Sequence, residues 1–61
     1  MNYEKAIAII AEKYPYMTVE RDPGKGGWRV KSDSEGIILG PWRKSLEEAL
    51  IIAAENVKEK A

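Results

Sequence analysis

The chain has 61 residues, with ten acidic and ten basic side chains and a formal net charge of zero. The length fits one domain, and the lack of cysteine and histidine excludes disulfides and the usual zinc sites. A neutral chain also lacks the basic excess typical of dedicated nucleic-acid-binding proteins. Residues 1–61 are therefore expected to form a single domain that holds no cofactor and no metal.

The chain begins with the pattern of an amphipathic helix, predicted over residues 2–14. Asn2 is a suitable N-cap residue. Apolar side chains then recur every three or four positions, a spacing that places them on one helical stripe. Pro15 ends this helix, because the residue before a proline is pushed out of the α region.

Three short strands are predicted next, over residues 16–22, 28–32 and 37–39. In the second strand, Trp28 and Val30 share one face, and Arg29 and Lys31 share the other. Turn-forming residues separate the strands. Two hairpins in series predict an antiparallel meander.

A second helix is predicted from Ser45 to about Lys58, after Gly40 and Pro41 have ended the third strand. Ser45 and Glu48 have the spacing of a capping box. The order is then α-β-β-β-α. Its simplest assembly is an α+β fold in which both helices pack on one face of the sheet and the other face stays uncovered.

Motifs that carry catalytic chemistry are not found. The segment around Lys25 resembles a phosphate-binding loop only superficially, because a strand rather than a helix follows it. The serines have no histidine to activate them. Asp33 and Glu35 lack the spacing of a calcium-binding loop. No catalytic residue is assigned, and the chain is expected not to be an enzyme.

Basic side chains concentrate near the predicted sheet, and they suggest a site for an anionic partner on its uncovered face. The candidate partner-binding residues are Arg29, Lys31, Trp42, Arg43 and Lys44. The alternative is a solvated face on which Arg29 and Lys31 form cross-strand pairs with Glu20 or Asp22.

The two tryptophans have different expected roles. Trp28 alternates with Val30 and is expected to fill the core. Trp42 follows Gly40 and Pro41, so it either plugs the end of the core or stands exposed as a binding anchor. The core placement is preferred, because a small domain seldom leaves a large aromatic side chain unused.

Surplus isoleucines favour self-association. At about 100° per residue, Ile9 lies about 130° from the centre of the first helical stripe, and Ile51 and Ile52 lie similarly far from the second. Ile38 points toward the uncovered sheet face. Together these four residues predict an apolar patch and a homodimer, which would also stabilise a short chain without disulfides. The alternative is that wide helical stripes wrap into the flanks of the core.

From Trp28 onward the chain reads Trp-Arg-Val, a turn, a short strand and then Trp-Arg-Lys-Ser-Leu-Glu-Glu-Ala. This order resembles the three strands and helix of the arm-type DNA-binding domains of phage tyrosine recombinases, over about residues 16–57. The resemblance implies a sheet face presented to DNA, although those domains are normally basic and lack the first helix. The compact format is also similar to small accessory proteins of phages and mobile elements, many of which block or sequester a host factor.

The sequence therefore predicts a small non-catalytic interaction protein, homodimeric, that binds a protein partner as an inhibitor or regulator. The alternative is a nucleic-acid-binding module that places Arg29, Lys31, Arg43 and Lys44 of the uncovered face on phosphates. Neither a membrane span nor a signal peptide is predicted, so the cytoplasm is the expected location.

Overall fold

A computed structural model describes residues 1–60 of the chain. Its elements are α1 Tyr3–Lys13, β1 Met17–Arg21, β2 Trp28–Ser32, β3 Ile37–Ile38 and α2 Leu46–Lys60. The predicted α+β class and the α-β-β-β-α order are confirmed. Neither described helix is long and apolar enough to cross a membrane.

Both helices begin at the predicted capping residues. Asn2 Oδ1 accepts a hydrogen bond from the amide of Lys5 at 2.9 Å, and Ser45 Oγ accepts one from the amide of Glu48 at 3.1 Å. These bonds satisfy amides that have no acceptor inside their own helix. At the other end of α1, the amide of Tyr14 still donates to the carbonyl of Ile10 at 2.7 Å. Pro15 follows and ends the helix as predicted.

The three strands form one antiparallel sheet in the order β1-β2-β3. Val19 lies opposite Val30, and Arg21 lies opposite Trp28, so these side chains share one sheet face. The opposite face carries the alternate residues of the strands, namely Thr18, Glu20, Arg29, Lys31 and Ile38. The predicted meander is confirmed.

The first hairpin turn is held by its own aspartate. Asp22 Oδ1 accepts hydrogen bonds from the amides of Gly24 at 2.9 Å and Lys25 at 3.3 Å. Gly26 has a φ of 74°, in the left-handed region that favours glycine. The segment is thus a hairpin loop between two strands, and its aspartate carboxylate is directed at its own backbone.

After β3 the chain leaves the sheet and then rejoins it. The amide of Leu39 donates to the carbonyl of Val30 at 2.8 Å, and Trp28 and Arg43 exchange two backbone bonds of 2.7 Å. If the register between β2 and β3 continued, residue 41 would lie opposite Trp28. Arg43 lies there instead, so the segment between Leu39 and Arg43 contains two additional residues. This excursion brings Trp42 beside the start of β2.

The core lies between the helices and one face of the sheet. Packing joins α2 to β2 and α1 to α2. The buried apolar residues are Ala6, Ile10, Val30, Leu39, Ala49, Leu50, Ala53, Ala54 and Val57. Trp28 packs against this core, as predicted. Asn56 Nδ2 donates to the carbonyl of Leu39 at 2.9 Å and so ties α2 to the sheet.

The helices do not extend over the first strand. Because α1 packs on α2 rather than closely over β1, the helix-side face of β1 is only partly covered. Val19 lies on that face and remains 37% exposed. The first strand is therefore an edge of the sheet whose helix-side face is only partly covered.

Candidate functional site

The sheet face opposite the helices is uncovered, and it is called the open face below. Its residues are Thr18, Glu20, Arg29, Lys31, Ile38 and Trp42. Ile38 is 47% exposed and Trp42 is 39% exposed. Large apolar side chains therefore stand among charged ones on a surface that no described element covers.

Trp42 is fixed on the open face by its neighbours. The guanidinium carbon of Arg29 lies 4.3 Å from the centroid of the Trp42 ring, a cation–π geometry. Gly27 lies beside the ring, and a Cβ built there would be in ordinary van der Waals contact with Trp42 Cβ, at 3.5 Å. The preferred core placement of Trp42 is wrong. Trp28 occupies the helix-side face opposite Arg43, so strand alternation directs Trp42 to the other face.

The charges of the open face are largely paired. The Nε of Arg29 donates to the carboxylate of Glu20, its direct cross-strand neighbour. Lys31 Nζ lies 3.4 Å from Glu20 Oε2 and 3.5 Å from Asp33 Oδ1. The alternative expected from the sequence, in which Arg29 and Lys31 form cross-strand pairs, is therefore correct for Glu20. The second carboxylate is that of Asp33 and not that of Asp22.

Glu20 holds its charge more strongly than an isolated carboxyl group would. The hydrogen bond from Arg29 lowers the pKa of Glu20 below its ordinary value of 4.5. The positive charges of Arg29 and Lys31 act in the same direction, and desolvation opposes them. At neutral pH, Arg29 and Lys31 thus face a fully ionised partner.

A shallow cleft adjoins the open face at the first hairpin turn, and it is called the loop cleft below. Its volume is about 430 Å³, and its lining residues are Asp22, Lys25, Gly26, Gly27, Trp42, Arg43 and Lys44. Within residues 1–60, no carboxylate forms an ion pair with Lys25, Arg43 or Lys44. Three cationic side chains and one carboxylate, that of Asp22, line the loop cleft, so the cleft carries an excess of positive charge.

The structure brings the predicted partner-binding residues into one continuous surface. Arg29 and Lys31 lie on the open face, Arg43 and Lys44 line the loop cleft, and Trp42 belongs to both. Sequence reasoning named Glu20 only as a cross-strand partner in the alternative, and it did not assign Thr18 and Gly27 to this surface. The antiparallel register was the available signal, because it places Glu20 opposite Arg29 and Thr18 opposite Lys31.

The structure does not bring the four predicted interface isoleucines together. Ile9 and Ile51 are half-buried and pack against the core. Ile52 is also half-buried, with its Cγ2 3.5 Å from the position of a Cβ on Gly40. Ile38 lies apart from them on the open face. The two helices pack on each other and α2 also packs on β2, so the buried surface extends beyond one stripe.

The second hairpin turn contains a buried serine that the sequence did not reveal. Ser32 is fully buried, and its hydroxyl donates to the carboxylate of Glu35. The Ser34 hydroxyl also donates to Glu35, at 2.6 Å. The bonds from Ser32 and then Ser34 lower the pKa of Glu35. Since the Ser32 hydroxyl is inaccessible, this arrangement fixes the turn and gives a substrate no access to the serine.

Within residues 1–60, no cluster of three or more acidic side chains is placed to hold a metal ion. Comparison of the chain with protein-family models, curated proteins and solved structures finds no match. The resemblance to arm-type domains of phage recombinases therefore stays a prediction.

Proposed function

We propose that this protein is a small non-catalytic interaction protein that binds a protein partner through the open face. The observation that supports the proposal most directly is the exposed Trp42 ring, held in place by Arg29 on a face without cover. Tryptophan and arginine are the residues most enriched at the energetic centres of protein interfaces. Trp42 is the anchor of the proposed interface, with Ile38 beside Lys31 as its apolar flank.

The anchor is ordered before any partner arrives. Arg29 is held at once by the Glu20 carboxylate and by the Trp42 ring. Side chains that are already fixed lose little conformational entropy on binding, so more of the contact energy remains as affinity. A chain of this size that occupies a partner's contact surface acts as an inhibitor or regulator of that partner.

The charge pattern of the open face fits a protein better than a nucleic acid. A nucleic acid presents a regular row of phosphates and needs unpaired cations to neutralise them. On the open face, Glu20 and Asp33 already neutralise Arg29 and Lys31. A protein surface of mixed character can accommodate both the paired charges and the apolar Trp42 and Ile38.

Site-specific photocrosslinking in a lysate of the source organism tests the proposal. A benzophenone side chain at Ile38 is expected to crosslink one specific protein, and the same group at Glu55, on an exposed surface of α2, is not. Trp42→Ala should abolish this crosslink. Tyr3→Ala, which removes an even more exposed aromatic from α1, should leave it intact. Equal loss with Tyr3→Ala, or crosslinking that survives Trp42→Ala, would contradict the proposal.

A nucleic-acid-binding function is the second candidate, and the loop cleft favours it. There Lys25, Arg43 and Lys44 lack ion-pair partners among the described residues and adjoin an aromatic ring. This function predicts retention of DNA or RNA on a filter at low salt, falling steeply as salt is raised. Arg43→Ala combined with Lys44→Ala should reduce that retention. Absence of retention at low salt would eliminate this candidate.

A further inference from the structure

The β1 edge of the sheet exposes backbone groups that have no partner among the described residues. Trp28 and Val30 direct their backbone bonds to the β3 side, since Trp28 bonds to Arg43 and the Val30 carbonyl accepts from Leu39. Backbone bonding alternates along a strand, so Arg29 and Lys31 bond to β1. Their register partners are Glu20 and Thr18. The amides and carbonyls of Val19 and Arg21 therefore point away from the sheet.

This edge lacks the prolines and bulges that often prevent strand addition. Residues 17–21 contain no proline or glycine, while Pro15 and Pro23 lie just outside the strand. Val19, at the centre of the strand, is 37% exposed because neither helix packs closely over β1. The edge thus offers both hydrogen-bonding groups and an apolar side chain to an incoming strand.

We propose that two copies of the chain pair antiparallel through β1, with the two Val19 residues opposite each other, and form a six-stranded sheet. In this arrangement Val19 of each copy exchanges both backbone bonds with Val19 of the other. The amide of Arg21 donates to the Met17 carbonyl of the second copy. The proposal is independent of the function proposed for the open face, which stays uncovered in the dimer.

The strand that pairs with this edge is β1 of a second copy, because β1 is complementary to itself. With Val19 on the two-fold axis, Glu20 lies opposite Thr18 and Arg21 lies opposite Met17, so no like charges face each other. The Thr18 hydroxyl has no hydrogen-bond partner within the described residues, and this register brings a carboxylate opposite it. The zero net charge of the chain also leaves little repulsion between copies.

The register with its two-fold axis at Glu20 is less favourable. It would place two glutamates directly opposite each other, and like charges in that position are destabilising. Val19 has outward backbone groups and an apolar side chain. A two-fold axis at Val19 also keeps like charges of the two copies apart.

Sedimentation velocity over a range of concentrations tests the pairing. Val19→Pro removes the outward amide without removing a bond of the β1–β2 ladder, and edge strands accommodate proline. Because each copy loses one interchain donor, the dissociation constant of the dimer should rise about tenfold or more. Val19→Thr, which keeps the amide and the β-branched shape, is the matched control and should still dimerise. Ile52→Lys, on the flank of α2, should dimerise like the unaltered chain.

Amide hydrogen exchange of the unaltered chain gives a second readout that requires no variant to fold. As the concentration rises from micromolar to millimolar, the Val19 and Arg21 amides should become protected, while those of Thr18 and Glu20 should change little. A species that stays monomeric at millimolar concentration would overturn the proposal. A dimer in which the Val19 and Arg21 amides stay unprotected, or one lost with Ile52→Lys but not Val19→Pro, would overturn it as well.

Discussion

The guanidinium of Arg29 lies 4.3 Å from the centroid of the Trp42 ring, and its Nε is bonded to Glu20 on the neighbouring strand. This arrangement joins β1, β2 and the segment after β3 on a surface outside the core. Trp28 lies at the start of the same central strand, but it faces the helices and packs against the core. In the proposed function, Trp42 contributes to binding and Trp28 contributes to folding.

Trp42→Ala is expected to lower the free energy of unfolding by about 1 kcal/mol or less, since it removes one exposed cation–π contact. Trp28→Ala should lower it by about 3 kcal/mol, because it removes a large side chain that packs on the core. Urea denaturation followed by circular dichroism measures both. Equal losses for the two variants would contradict the assignment of Trp42 to the open face.

The two shifted carboxyl groups predict how stability depends on pH. Glu20 and Glu35 have pKa values below 4.5 in the folded chain, so the unfolded chain binds protons more readily than the folded one. The stability they contribute is fully present above the ordinary carboxyl pKa. It is lost as the pH falls through their lowered values in the folded state.

Measurement of the free energy of unfolding at a series of acidic pH values checks this expectation. Glu20→Gln and Glu35→Gln should each flatten the decline below pH 4.5. Glu55→Gln serves as the control, since Glu55 is an exposed carboxylate on α2. If Glu55→Gln flattens the decline as much as Glu20→Gln, the ion pairs of the open face do not contribute to acid sensitivity.

Two isoleucines of α1 should differ strongly in their effect on folding. Ile10 is fully buried, so Ile10→Ala should lower the free energy of unfolding by about 3 kcal/mol. For so small a domain, this is a large part of the total stability. Ile7 is 38% exposed, and Ile7→Ala should cost about 1 kcal/mol or less. Thermal unfolding of the two variants gives the comparison, and a larger effect at Ile7 would refute the described packing of α1.

The cap of α2 is a further local test. Ser45→Ala removes the acceptor for the Glu48 amide and should lower the free energy of unfolding by about 1 kcal/mol. Ser45→Asn supplies another capping side chain and should retain most of the stability. Chemical denaturation distinguishes the two, and equal effects would mean that the hydroxyl does not act as a cap.

Local signals were sufficient to predict most of the fold. Asn2 and Pro15 bracket α1, and Ser45 marks the start of α2, because capping and proline geometry depend on a few neighbouring residues. The alternation in β2 correctly predicted Val30 inside and Arg29 on the other face. These features require no knowledge of which elements lie next to each other.

The rest depended on contacts between distant segments. The placement of Trp42 follows from the pairing of Arg43 with Trp28, which no local pattern encodes. Ile9 and Ile51 are half-buried because the helices also pack on each other, and a single-helix stripe cannot show this. The bond from Ser32 to Glu35 spans only three residues, but the burial of Ser32 depends on the packing around the end of β2.

The excursion between Leu39 and Arg43 has a consequence for how this segment can vary. Trp42 keeps its direction because Arg43, the next residue, pairs with Trp28 on the helix-side face. Residues 40 and 41 lie outside the regular strands, so they can absorb a change of length without turning Trp42 toward the helices. The direction of Trp42 is therefore set from its C-terminal side, and length changes between Leu39 and Trp42 should leave the ring on the open face.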